Sequence, residues 1–247
     1  MRGLILAAGQ GAFAQAGLPP VMTALAGKTL LERQIAALRA GGVAEIGVVR
    51  GYCADAIVVA SEVTWFDHLR WKETGDVTAL HAASEWLRGG TVIVCDANIF
   101  YRHELVHMIG TVRGALVVGY DRKWGDLWAR RFSDPLAHVA AFRRGAAGNL
   151  MDIGGVAERP AEVQGQPMGV VKFTPTAWQA AETLLDALGD KEQGRLDMTA
   201  LLRQLLQAKT VAVGTVGTDG QCGRIDSADD LALYEHMVAT GELVLEG

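Results

Sequence analysis

The chain reads as an α/β protein: a single-domain, Rossmann-like fold with a mixed, mainly parallel sheet, helices on both faces and a small antiparallel lid. Three observations carry that expectation. Apolar runs of strand length alternate with stretches of helical periodicity, the strand-like runs are apolar throughout, and the regular order breaks once, over roughly residues 124–165. Continuously apolar strands interleaved with helices belong to a parallel sheet that is covered on both faces.

The first strand is expected at 4–8, where LILAA stops at Gly9. Leu30, Leu31, Ile35 and Leu38 then recur at helical spacing, and Gly41-Gly42 ends that helix. A second buried strand is expected at 46–49, a helix at 78–87 and a strand at 91–95. A short helix at 105–109 and a strand at 115–119 follow. The lid is expected from short segments at 128–132, 137–143 and 150–153, separated by Asp134-Pro135 and Ala147-Gly148-Asn149. An apolar strand returns at 168–173, followed by helices at 177–188 and 198–207 and a strand at 210–216. Ser227 is a fitting N-cap for a last helix at 228–238, with Asp229-Asp230 in its first turn. No repeat or linker divides the chain, so residues 1–247 are read as one domain.

The composition narrows the function. Half of the 247 residues are hydrophobic and 21% are charged, ordinary for a globular protein. A net charge of -5 argues against a nucleic-acid backbone as partner. No apolar segment is long enough to span a bilayer, and the first residues lack the signature of a secretory leader. Cys53, Cys95 and Cys222 are odd in number and follow no CxxC pattern, which points to packed, reduced thiols in a cytoplasmic protein. The six histidines show no metal-ligand spacing.

Three features should meet at the C-terminal strand ends, where open parallel sheets bind their ligands. They are the Gly9–Gly11 loop, Asp96 at the end of its strand in VIVCDANIF, and the end of the chain. Asp96 can cap the next turn or face a ligand, and Asp226 in GRIDSADDLALY can simply start a helix; the residues alone leave both open. Taken together, two acids converging on a glycine loop suit Mg2+, which takes one or two carboxylates and completes its shell with water and phosphate oxygens.

The ordered set LILAAGQG, LAGKTLLERQIAALRAGGV, TGDVTALHAA, VCDANIF, RRFSDPLAHVAAFR, GVVKFTP, LDMTALL and IDSADDLALYE resembles nucleotidyltransferases. These join a nucleoside triphosphate to a small phosphorylated molecule and release pyrophosphate. The pieces are most similar to the cytidylyltransferases for phosphocholine and aminoalkylphosphonates. RRFSDPLAHVAAFR and DMTALL favour that branch over the sugar-1-phosphate nucleotidyltransferases.

The resemblance implies magnesium on Asp96 and Asp226, and nucleotide contacts from Leu6, Ala7, Ala8, Gly9, Gln10, Gly11, Asp76 and Thr78. Lys172, taken as catalytic, and Lys123 are candidates to meet phosphate from the far side of the cleft, and Lys28 matches a family position near the helix start. Trp128, Asp197 and Arg224 fall where substrate is held. CTP, or another NTP, and a small phosphorylated or phosphonate acceptor would be the partners, and a homo-oligomer is compatible.

Several positions depart from the family pattern. The loop usually reads GxGxR followed by a Pro-Lys pair; here Phe13 or Ala14 stands at the Arg and Pro20 at the Lys. Arg224 replaces a glutamate and Cys222 a tryptophan. Asp76 and Ala79 stand where relatives often have Asn and Ser, and an ionised Asp only accepts hydrogen bonds. The reversed sign at Arg224 predicts a neutral or anionic acceptor head, or an arginine recruited to phosphate. The missing loop cations keep a second class open, a nucleotide-binding or regulatory protein without turnover.

Overall fold

The computed structural model describes residues 1–13 and 17–245. In chain order the elements are β1 (Arg2–Ala7), α1 (Leu30–Ala40), β2 (Glu45–Arg50), β3 (Thr64–Asp67), α2 (Asp76–Leu80), α3 (Ser84–Gly89), β4 (Val92–Asp96), α4 (His103–Thr111) and β5 (Leu116–Asp121). Then come α5 (Trp124–Arg131), β6 (Ala140–Arg144), β7 (Leu150–Val156), β8 (Gln166–Phe173), α6 (Pro175–Asp186), α7 (Met198–Ala208), β9 (Val213–Thr218) and α8 (Ala228–Ala239).

Seven strands form one sheet in the order β9-β5-β8-β4-β1-β2-β3. All neighbours run parallel except β8, which is antiparallel to both β4 and β5. The chain builds outward from β1 through β2 to β3 and then crosses back to β4 on the other side of β1. The order therefore reverses between β1 and β4, where a parallel sheet opens a crevice.

Alternation along the strands sorts the core onto two faces. Leu4, Leu6, Val94 and Val118 face α6 and α7 through Trp178, Leu201 and Leu205. Ile5, Ala7, Ile93 and Val117 face α1 and α4 through Leu31, Ile35, Leu38 and Val106. A third cluster, including Leu25, Phe100, Ile225 and Tyr234, fastens the last helix beside the crevice.

Some expectations change. The helix expected at 78–87 is broken by a tight turn at His81–Ala83 between α2 and α3. Val77, Leu80 and Ala83 lie three apart and are all buried, a spacing that a three-residue turn keeps on one side. β3 was not legible, because this edge strand has no fully buried residue. The segment expected to open an antiparallel lid is instead helix α5, with Asp126 in its first turn and Arg130 and Arg131 in its last, matching the helix dipole. The antiparallel part is the β6–β7 hairpin alone. Cys95 and Cys222 are buried, but Cys53 is exposed in a left-handed turn after β2, at φ 44°.

Candidate active site

The backbone builds the crevice before any side chain enters it. β1 ends opposite β4, with Leu6 in register with Asp96. The chain turns out of the sheet at Ala8, whose carbonyl accepts from the Tyr52 N–H at 2.8 Å. Gly11 follows at φ +66°, and a Cβ there would lie 2.6 Å from the Pro20 ring. Only glycine takes that backbone without strain and without that clash. Phe13 packs into the third core cluster, so it anchors the loop by burial and presents no cation. Ala14, the other position aligned with the family arginine, lies outside the described residues.

Asp96 is held from behind by Gln34, a buried side chain on α1. Its amide donates to the carbonyls of Asp96 at 3.0 Å, Ala97 at 3.2 Å and Ile99 at 3.1 Å. That clamp shapes the turn so that Ile99–Phe100 can pair with Gly223–Arg224 in a short antiparallel ladder. The ladder needs Gly223, where a Cβ would strike the rings of Tyr234 and Phe100 at 2.5 and 2.6 Å. It carries the far end of the chain to the end of β4.

The result is a relay of polar groups across the crevice. The Arg224 guanidinium bonds the Asp96 carboxylate through Nη2. Its Nη1 lies 3.4 Å from Asn98 Oδ1, and Asn98 Nδ2 donates to Asp226 Oδ1 at 2.7 Å. On its other side Asp226 meets Arg131 at 3.4 Å. Arg131 is bidentate to Asp230, at 2.6 and 2.8 Å, and lies 4.7 Å over the Trp128 ring. Gly169 of β8, at φ +67°, leaves room for the relay: a Cβ there would run into the Asp96 carboxylate and come within 2.9 Å of Arg224 Nη2.

Two cavities open on this relay. One, of about 220 Å³, is lined by Leu6, Gly9, Gly11, Pro20, Asp96, Asn98, Arg224 and Asp226, among others. The second, of about 250 Å³, has apolar walls from Val118, Ile153, Val171, Met198 and Leu202, with Gln166, Asp197 and Thr199 as polar groups. Asp76, Asp96 and Arg224 line both. Among the described residues, Arg224 is the sole basic side chain lining either cavity.

Its surroundings set its charge. Burial opposes the Arg224 cation, but Asp96, Asp226 and Asp76 hold it above the ordinary arginine range. Asp76 responds the other way. The enclosing protein and the nearby charges of Asp96 and Asp197 push its carboxyl up to about 6, against the pull of Arg224.

The predicted residues separate into those the fold gathers and those it does not. Leu6, Gly9, Gly11, Asp76, Asp96, Arg224 and Asp226 converge on the first cavity. Ala7 and Ala8 are buried beneath the loop, and Gln10 is exposed on it. Thr78 lines neither cavity and turns its hydroxyl to the Gln193 carbonyl at 3.4 Å. Asp197 both caps α7, accepting from the Ala200 N–H at 2.7 Å, and lines the second cavity.

Besides Thr78, two further predictions, Lys172 and Trp128, are corrected. Lys172 does not face the crevice. It is in register with Ile93 and Val117, toward the start of β4, and its ammonium donates to the Val112 carbonyl at 2.5 Å. Trp128 is 7% exposed and supports Arg131 from below, so its ring does not line either cavity. Lys123 lies along a separate surface depression and Lys28 is exposed in a small hairpin. Sequence reasoning missed Asn98, Gly169, Gln34 and Arg131. Asn98 was the most discoverable, two residues after Asp96 and therefore past the same strand end.

A glycine turn and two acids thus meet at the reversal point of a mainly parallel sheet, with a second cavity beyond. Residues 3–210 match the MobA-like NTP transferase domain, and the chain belongs to that family. It is 24% identical over 249 residues to the CTP:phosphoglutamine cytidylyltransferase of Campylobacter jejuni, covering 94% of this chain and 98% of that relative. The inositol-1-phosphate CTP transferase of T. maritima shares the fold at a TM-score of 0.74 and 14% identity, covering 98% of this chain and 97% of that one. The CTP:phosphocholine cytidylyltransferase of Streptococcus pneumoniae shares it at 0.67 and 18%, covering 96% and 98%. Among the described residues no helix is long and apolar enough to cross a membrane.

Proposed function

We propose that this enzyme transfers CMP from CTP to a small phosphorylated or phosphonate acceptor and releases pyrophosphate, with Mg2+ as its cofactor. The observation that carries the reading is the convergence of Asp96 and Asp226, from distant parts of the chain, on one cavity beside the glycine turn. Among the described residues no cluster of three or more His, Cys, Asp or Glu could hold a metal by itself. Two carboxylates beside a phosphate-sized cavity nevertheless fit magnesium, whose remaining ligands are water and phosphate oxygens. The ion would supply positive charge to the phosphates and would be held by Asp96 and Asp226.

The chain's own residues supply the rest. Gly9 and Gly11 let the backbone approach the nucleotide closely. Asp76, whose carboxyl is raised only to about 6, is mostly ionised at pH 7 and can accept hydrogen bonds from base or sugar. Arg224 sits where the two cavities meet and therefore faces both the α-phosphate of CTP and the attacking oxygen of the acceptor. Catalysis by this arrangement is positioning together with charge neutralisation.

The second cavity sharpens the acceptor. Beside Arg224 it contains carboxylates from Asp76, Asp96 and Asp197 and, among the described residues, no other base. An anionic head would meet repulsion there. A neutral head bearing N–H or O–H donors fits Asp197, with Gln166 a further polar group on the same wall.

The test is pyrophosphate release from each NTP with magnesium and a panel of phospho-alcohols, phosphonates, phosphoamides (including phosphoglutamine) and sugar phosphates. CTP with a neutral-headed acceptor should turn over fastest, and Asp96→Ala and Asp226→Ala should each lower turnover by about 10³-fold or more. Preference for a sugar phosphate, or turnover surviving in either variant, would overturn the assignment.

A further inference from the structure

We infer that Arg224 is an exchangeable internal cation: it neutralises Asp96 in the free protein and passes to substrate phosphate when the divalent ion takes its place. The inference rests on the proposed function and goes beyond it, because it makes metal binding and arginine release a single event.

Four observations support it. Arg224 bonds the same carboxylate that the metal requires, and through Asn98 it is linked to the other carboxylate as well. It is the sole base lining either cavity among the described residues, so the phosphates have no alternative cation there. Gly169 keeps the space around the guanidinium clear. Finally, the Arg224 side chain is 32% exposed, whereas Arg131 at the other end of the relay is 3% exposed and fixed in place.

Charge explains the direction of exchange. Asp96, Asp226 and Arg224 together carry one net negative charge, which repels a triphosphate that arrives without metal. A divalent cation on the two carboxylates balances both of them and leaves the guanidinium to its strongest remaining partner, a phosphate. The arginine thus keeps Asp96 ordered until metal and nucleotide are present together.

The test is binding rather than turnover, on the full chain. CTP is titrated calorimetrically in EDTA, and Mn2+ is titrated without nucleotide by electron paramagnetic resonance. Asp96→Asn frees the arginine and should strengthen metal-free CTP binding by about tenfold, the worth of one charged hydrogen bond. Asp226→Asn removes the same charge from the same cavity without breaking a direct bond to Arg224, and should change it by less than about threefold. Arg224→Gln should strengthen Mn2+ binding by about tenfold and weaken CTP binding in the presence of metal.

Equal gains in the two aspartate variants would reduce the effect to bulk charge and overturn the exchange, as would weaker Mn2+ binding in Arg224→Gln. The Mn2+ titration needs no nucleotide. A protein that showed the Arg224 effect yet bound no CTP would refute the cytidylyl reading and leave the metal–arginine competition standing.

Discussion

Two arginine–aspartate pairs flank Asp226, and they are built for opposite purposes. Arg131–Asp230 is sealed: both side chains are under a tenth exposed, the contact is bidentate, and the guanidinium lies against the rings of Trp128 and Phe132. Arg224–Asp96 stands between two open cavities, with side-chain exposures of 32% and 18%. The chemistry is the same, but what surrounds it decides the role. A sealed pair cannot lose a partner without leaving a bare buried charge, whereas an open pair can trade its partner for water, metal or phosphate. The fold has placed its rigid pair behind Asp226 and its loose pair between the two cavities.

The contrast can be broken most forcefully by truncating each arginine. Arg131→Ala should cost about 3–5 kcal/mol of stability by urea unfolding, because Asp230 is left buried and unpaired. Arg224→Gln should cost no more than about 1 kcal/mol while turnover falls by about 10²-fold. If both variants lost stability alike, the distinction between sealed and exchangeable would be wrong.

Glycine substitutions give an intermediate effect. Gly169 and Gly148 share left-handed backbone, at φ +67° and +79°, but only Gly169 abuts the Asp96–Arg224 pair. Gly148→Ala should cost about 1 kcal/mol for its backbone alone. Gly169→Ala should cost about 1–3 kcal/mol more, and should weaken nucleotide binding, because it crowds the pair. Equal thermal shifts in the two variants would show that the space beside Arg224 is not tightly defined.

The smallest effect concerns Asp76. Its carboxyl pKa is raised to about 6, so its contribution to stability is complete below the unfolded value near 4 and is lost as pH rises through 6. Asp76→Asn removes that dependence. The melting temperature of the variant minus that of the wild type should therefore climb between pH 4 and 7 and then level off. The total change should be below about 1 kcal/mol, since the carboxyl opens to solvent. A flat difference would show that burial and Asp96 do not raise the Asp76 carboxyl.

Much of the crevice was legible before the fold. Leu4 to Ala8 is apolar and ends at a glycine, and Asp96 ends an equally apolar run, so both strand ends declare themselves by pattern. Lys172 shows where pattern fails. An apolar strand carrying one lysine does not say which end of a mixed sheet that lysine reaches. β8 runs against its neighbours, which sends Lys172 to the edge away from the crevice. Trp128 fails for a related reason, since a tryptophan between charged residues reads equally well as ligand cage or as the floor beneath an arginine.

By itself, then, the sequence determined the alternation of strand and helix, the glycine turn, and the acid waiting at the end of β4. These follow from local steric rules and from the periodicity of burial, which act over a few residues at a time. Only the tertiary structure decided that Arg224 would lie on Asp96, 128 residues earlier in the chain. That meeting depends on a two-residue ladder, a glutamine clamp and two glycines whose missing side chains make the room. Each is a contact between distant segments, and no local pattern encodes it.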